Sequence, residues 1–160
     1  MKDDCCAPKG DFDLAVIGAG SAGFSAAITA AESGKRVALI GHGTIGGTCV
    51  NVGCVPSKTM IRAAEALHGA RAASRFPGLH GEAQVSDWAA LVAAKDELVA
   101  TLRQKKYADL LPGYEGVSYL DEGPARLVPG GVEVGGRRIT APKVIVATGS
   151  RPAAPGIPGI

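Results

Sequence analysis

The hexapeptide Gly18-Ala19-Gly20-Ser21-Ala22-Gly23 constrains this chain more than any other stretch, because of what flanks it. Before it, Phe12-Asp13-Leu14-Ala15-Val16-Ile17 is a short apolar run with the length of a buried strand. After it, Phe24 to Ser33 is rich in alanine and reads as a helix closed by Gly34. Arg36 to Ile40 reads as a second strand. Strand, glycine turn, helix and strand make a βαβ unit with G-x-G-x-x-G at its turn. The first two glycines permit the tight turn and close approach of backbone to a pyrophosphate, and the third lets helix and strand pack closely. The helix N-terminus adds unpaired N–H groups for phosphate oxygens. Without those flanks the glycines would imply close packing and nothing more. With them, the expectation is an α/β, Rossmann-like dinucleotide-binding fold.

One position departs from that pattern. The second strand of such a unit ordinarily leads to an acidic residue that holds the ribose hydroxyls. Gly41 and His42 stand in that place. His42 either supplies one such hydrogen bond or is an exposed loop histidine. The expectation is weaker binding of the dinucleotide, tightened by Gly41→Glu.

The chemistry is concentrated further on, in Gly46-Gly47-Thr48-Cys49-Val50-Asn51-Val52-Gly53-Cys54-Val55-Pro56-Ser57-Lys58. Pro56 suits a first helical turn, and Ile61 to Leu67 reads as helix. Cys54 therefore falls near a helix start, where N–H groups and the dipole favour a thiolate. Lys58, four residues on, adds a positive charge on the same face. Cys49 falls in the glycine-rich turn, and Gly53 allows it to approach Cys54 to the roughly 5.5 Å between Cα atoms that a disulfide needs. Taken alone, the pair reads as a redox disulfide, a structural disulfide, half a metal site or two buried thiols.

The segment from Phe76 to Val85 contains Pro and Gly and reads as a loop. Ser86 is the expected N-cap of a long helix ending near Leu111, before Pro112-Gly113. Its apolar residues Trp88, Leu91, Val92, Leu98, Val99 and Leu102 fall near one face, read as core or helix–helix contact. Val117 to Leu120 is a candidate strand. Ala125–Val128, Val132–Val134 and Arg137–Ile139 read as a small meander punctuated by glycines. A last apolar run, Val144 to Val146, ends in Ala147-Thr148-Gly149.

Composition closes off some classes of function. A net charge of +2, from 17 basic and 15 acidic residues without a cluster, gives no footprint for nucleic acid. No apolar run reaches the ~18 residues of a membrane span, and no signal-peptide core is present. A cytoplasmic protein is expected, a setting where a cysteine pair is more often catalytic than structural. Cys5-Cys6, in a polar tail over residues 1–10, is either a soft-metal site or a linker remnant.

Thirteen consecutive positions, Gly46 to Lys58, resemble the active-site signature of the flavin-dependent pyridine nucleotide–disulfide oxidoreductases. That family includes dihydrolipoamide dehydrogenase, glutathione reductase and mercuric reductase. Val144 to Gly149 resembles its second FAD signature. The resemblance implies an incomplete FAD-binding domain over residues 11–150, followed at 151–160 by a linker to a missing NADPH domain. It implies FAD bound by Gly18, Gly20, Gly23, Gly43, Thr48, Lys58, Ala125, Thr148 and Gly149. NADPH would reduce FAD, and the flavin would reduce a Cys49–Cys54 disulfide. Cys54 would be the charge-transfer thiol, Cys49 the interchange thiol, and Lys58 would stabilise the reduced flavin. The string Gly43 to Glu65 is most similar to the mercury-reducing branch, which implies transient Hg(II) binding by Cys49 and Cys54. The other branches imply a small thiol or disulfide substrate. The intact enzyme would be a homodimer, and this segment alone inactive. The alternative is a non-catalytic module that binds FAD or a soft metal.

Overall fold

A computed structural model describes residues 10–151 and 153–159. The expected βαβ unit is its centre. Strand β1 (Leu14–Ile17) pairs in parallel with β2 (Val37–Ile40), and α1 (Ser21–Glu32) connects them. Both strands are apolar throughout because both faces are covered. Leu14, Val16, Val37 and Leu39 pack with Phe24 and Ala27 of α1. Their alternates Ala15, Ala38 and Ile40 pack with Val132, Val134, Ile139 and Ala141 on the opposite side. That opposite layer is the expected meander, β4 (Ala125–Val128), β5 (Gly131–Val134) and β6 (Arg137–Thr140), paired antiparallel in sequence order.

Strands β3 (Val117–Leu120) and β7 (Val144–Val146) complete a four-stranded parallel sheet of order β3-β2-β1-β7. The Rossmann-like α/β architecture read from the glycine turn is therefore present. Helix α1 begins at Ser21, three residues before the expected Phe24, with Gly20 as its extended N-cap. The glycine turn thus merges with the helix and brings its first N–H groups to the turn.

The long segment between β2 and β3 carries α2 (Gly47–Asn51), α3 (Cys54–Arg71) and α4 (Trp88–Arg103). Three expectations change here. Cys49 lies on the short helix α2 rather than in a turn. The N-cap of α4 is Asp87, not Ser86, since Asp87 Oδ1 accepts the Ala90 N–H at 2.9 Å. The regular helix also stops at Arg103 and continues as a wider π turn, Gln104–Ala108, instead of running to Leu111. That turn rotates Tyr107 onto α1, where its ring meets Phe24 edge-on at 4.9 Å and its hydroxyl lies 2.9 Å from Ser21 Oγ. On the apolar face of α4 only Val99 is buried, whereas Trp88 keeps 61% of its surface exposed.

Candidate functional site

Strand order reverses between β1 and β7, and open α/β sheets bind ligands at such a point, beyond the carboxyl ends of the strands. The glycine turn leaves β1 there. Gly18 has φ +118°, and a Cβ on it would stand 2.1 Å from the Ala147 carbonyl oxygen. Only glycine lets the two strand ends lie this close. The N-cap of α1 makes no side-chain hydrogen bond, and the first turn holds no acidic residue. Its N–H groups and positive dipole end are left for an anion. Gly23 serves the packing: a Cβ on it would fall 1.7 Å from the Gly18 carbonyl oxygen.

A second glycine pair presses on the first. Gly46 donates its N–H to the Ala19 carbonyl at 2.9 Å, and a Cβ on Gly47 would lie 2.8 Å from Gly20 Cα. The loop that launches α2 is thereby fastened to the phosphate turn. Around them opens a cavity of about 480 Å³, within the range of small-molecule sites. Gly18, Gly20, Gly43, Thr48, Cys49, Ala125, Thr148 and Gly149 all line it. Gly23, Cys54 and Lys58 do not. Sequence reasoning missed Ser21, Gly46, Gly47, Tyr119 and Ser150 as lining residues. The glycine pair was visible within the cysteine string, but its contact with Gly20 joins segments far apart in the chain.

Cys49 and Cys54 are both free, exposed thiols. The turn between α2 and α3 sets their approach. Val52 donates its N–H to the Thr48 carbonyl at 3.0 Å, and a Cβ on Gly53 would sit 2.9 Å from that same oxygen. Cys54 is the first residue of α3, with Gly53 as N-cap. The Cys49 thiol is pushed above its ordinary value, chiefly by hydrogen bonding to Cys54, then by desolvation and the neighbouring Cys54 charge. A backbone hydrogen bond from Cys54 and, less strongly, the Lys58 ammonium pull it the other way. Thr48 ties this end of α2 to the segment that follows β7, its Oγ1 donating to the Ser150 carbonyl at 3.2 Å.

Comparison with known proteins places this geometry. A family described as pyridine nucleotide-disulphide oxidoreductase matches residues 12–160. The chain belongs to that family. Among curated oxidoreductases it is 46% identical over 157 residues to the mercuric reductase of Streptomyces lividans, covering 93% of this chain and 32% of that protein. It is 46% identical over 151 residues to the mercuric reductase of Staphylococcus aureus, covering 94% of this chain and 27% of that one. The chain thus spans about a third or less of these relatives. A solved oxidoreductase of similar fold is the HOCl-induced flavoprotein disulfide reductase RclA from Escherichia coli, with TM-score 0.73 and 31% identity. It covers 92% of this chain and 30% of that structure.

Membership of the pyridine nucleotide-disulphide oxidoreductases implies FAD, and the glycine cradle fits a dinucleotide. The backbone approaches that Gly18, Gly20 and Gly47 allow are those a pyrophosphate at a helix N-terminus requires. Cys5 and Cys6 lie outside the described residues. Among the described residues no three His, Cys, Asp or Glu side chains gather to hold a metal ion. No described helix is long and apolar enough to cross a membrane.

Proposed function

We propose that this chain is the segment of a mercuric reductase that binds FAD and carries its redox cysteine pair, the enzyme using NADPH to reduce Hg(II) to elemental mercury. The observation that carries the reading is the free pair Cys49 and Cys54, straddling the junction of two helices beside the dinucleotide cavity. The 46% identity to mercuric reductases of two organisms supports the branch. Gly18, Gly20, Gly43, Thr48, Ala125, Thr148 and Gly149 would hold FAD, with Gly23 keeping α1 against the turn. Bound FAD would carry the two electrons of a nicotinamide hydride to the cysteine pair.

The chain's own residues do the rest. Cys54, at the start of α3, would be the charge-transfer thiol beside the flavin and Cys49 the interchange thiol that meets the substrate, although it is Cys49 that lines the dinucleotide cavity here. Lys58 supplies positive charge where negative charge accumulates. Hg(II) is soft, so two thiolates are its natural ligands, and each thiol gives up its proton on binding. Net reduction takes two electrons per Hg(II), the number one NADPH supplies. The intact enzyme is proposed to be a cytoplasmic homodimer.

Hg(II)-dependent oxidation of NADPH by the full-length protein tests the reading, with mercury vapour as product and loss of turnover in Cys49→Ser and Cys54→Ser. Turnover of a small disulfide in place of Hg(II) would move it to another branch of the family. A second reading is a flavin- or metal-binding module without turnover. Retained binding without NADPH oxidation would favour it.

A further inference from the structure

Gly41, standing where an acidic residue is ordinarily found, is buried beneath an aromatic ring. A Cβ on Gly41 would lie 2.3 Å from the Tyr119 hydroxyl oxygen and 2.8 Å from Cε2 and Cζ of its ring. Sheet register brings the two together. Tyr119 pairs with Leu39 across β3 and β2, and Gly41 donates its N–H to the Leu120 carbonyl at 2.9 Å. The ring therefore reaches along β2 and covers its carboxyl end. Space that a glutamate stem would need at position 41 is filled from the neighbouring strand.

The tip of the ring is also in the right place to meet a ligand. Tyr119, Gly41 and His42 line the same cavity as Gly18 and Gly20. Burial, then the Asp121 carboxylate, pushes the Tyr119 phenol above its ordinary value, so it stays neutral and keeps its proton to donate. We propose that the Tyr119 hydroxyl takes over recognition of the adenosine ribose hydroxyls of the bound dinucleotide, in place of the carboxylate missing at position 41. This rests on the FAD reading and adds a specificity residue to it. A phenol donates one hydrogen bond and accepts others, whereas a carboxylate only accepts. The ribose is thus read by a neutral group. It also follows that Gly41→Glu alone does not restore the ordinary contact, contrary to the expectation from sequence, because Tyr119 occupies the room.

The test is a titration of the purified chain with FAD, followed by flavin fluorescence, with ADP, 2′-deoxy-ADP and 3′-deoxy-ADP as competitors. The wild type should bind FAD and should prefer ADP to at least one deoxy competitor. Tyr119→Phe, which keeps the ring, should bind FAD about threefold to tenfold more weakly and treat the competitors alike. Gly41→Glu should weaken FAD binding, and Gly41→Glu combined with Tyr119→Val should recover it. Unchanged affinity in Tyr119→Phe overturns the proposal while leaving the FAD site in place. Weaker FAD binding with the ribose preference retained also overturns it, assigning the ring a packing role. A wild type that binds neither FAD nor ADP overturns the FAD reading itself, and this proposal with it.

Discussion

Arg103, the last residue of α4, donates from Nη1 to Asn51 Oδ1 at 3.1 Å, reaching across 52 residues of sequence. Asn51 Nδ2 in turn donates to the carbonyls of Ile45 and Gly47, each at 2.9 Å. Asn51 thus closes the loop that carries Gly46 and Gly47 and fixes the helix that carries Cys49. Asn51→Ala removes two hydrogen bonds to backbone and leaves Arg103 without its partner, so a loss of about 1–3 kcal/mol is expected in thermal or urea unfolding. Arg103→Met keeps the Asn51 bonds to the loop and should cost about 1 kcal/mol. Alkylation of Cys49 should quicken in Asn51→Ala as α2 frays.

Two glycines with different surroundings should respond differently to alanine. Gly23→Ala drives a methyl into the Gly18 carbonyl, 1.7 Å away. Its cost should reach or exceed the top of the ~1–3 kcal/mol typical of overpacking. Gly43 has φ +84° with nothing within 4 Å of its Cβ position, so Gly43→Ala should cost only the ~1–2 kcal/mol of left-handed backbone. Chemical denaturation of the two variants gives the order directly.

The raised Cys49 thiol makes a prediction about pH. Its leading cause is the hydrogen bond to Cys54, so Cys54→Ala should return Cys49 toward its ordinary value. The pH profile of iodoacetamide labelling at Cys49 should then move to lower pH. The sign for stability follows: a thiol whose folded value exceeds the unfolded 9.0 stabilises the fold below that pH. That contribution fades as pH rises through the folded value. The reduced chain should therefore lose stability in alkali, and the Cys54→Ala variant should lose less.

Thiol counting checks the metal reading. The reduced chain should bind one Hg(II) at Cys49 and Cys54, with loss of two titratable thiols. The Cys5→Ser/Cys6→Ser double variant should keep that ion. If the double variant binds none, the metal site belongs to the tail.

Acid should loosen the join between β1 and its neighbours. The Thr140 N–H and hydroxyl both donate to Asp11 Oδ2 at 2.9 Å, and hold its carboxyl below the ordinary 3.8. Asp13 is lowered in the same way by the Arg36 N–H at 2.8 Å and the Arg36 guanidinium. Depressed carboxylates add stability above 3.8, the unfolded value, and that stability is lost as pH falls through the lower folded values. Thr140→Val and Asp11→Asn should both flatten the acid limb of a stability–pH curve. An acid limb identical to the wild type would show that Asp11 contributes nothing there.

The sequence by itself determined the parts whose causes are local. A glycine turn between an apolar run and an alanine-rich helix dictates βαβ, since φ at Gly18 and packing at Gly23 admit no other residue. Gly53 and Pro56 place Cys54 at a helix start by the same kind of short-range rule. Even so, the cap of α4 fell on Asp87 instead of Ser86, because one residue's shift decides which side-chain oxygen reaches the Ala90 N–H.

Tertiary structure alone decided which segments meet. Strand β7 follows β1 by well over a hundred residues, yet pairs with it and delivers Ala147 to Gly18 and Ser150 to Thr48. Tyr119 covers Gly41 because β3 lies in parallel beside β2, and the π turn after Arg103 exists where Tyr107 finds Phe24 and Ser21. Strand order depends on burial summed over both faces of the sheet. Local propensity holds no record of that sum, so the partners of Gly18 and Gly41 emerge only once the chain has packed.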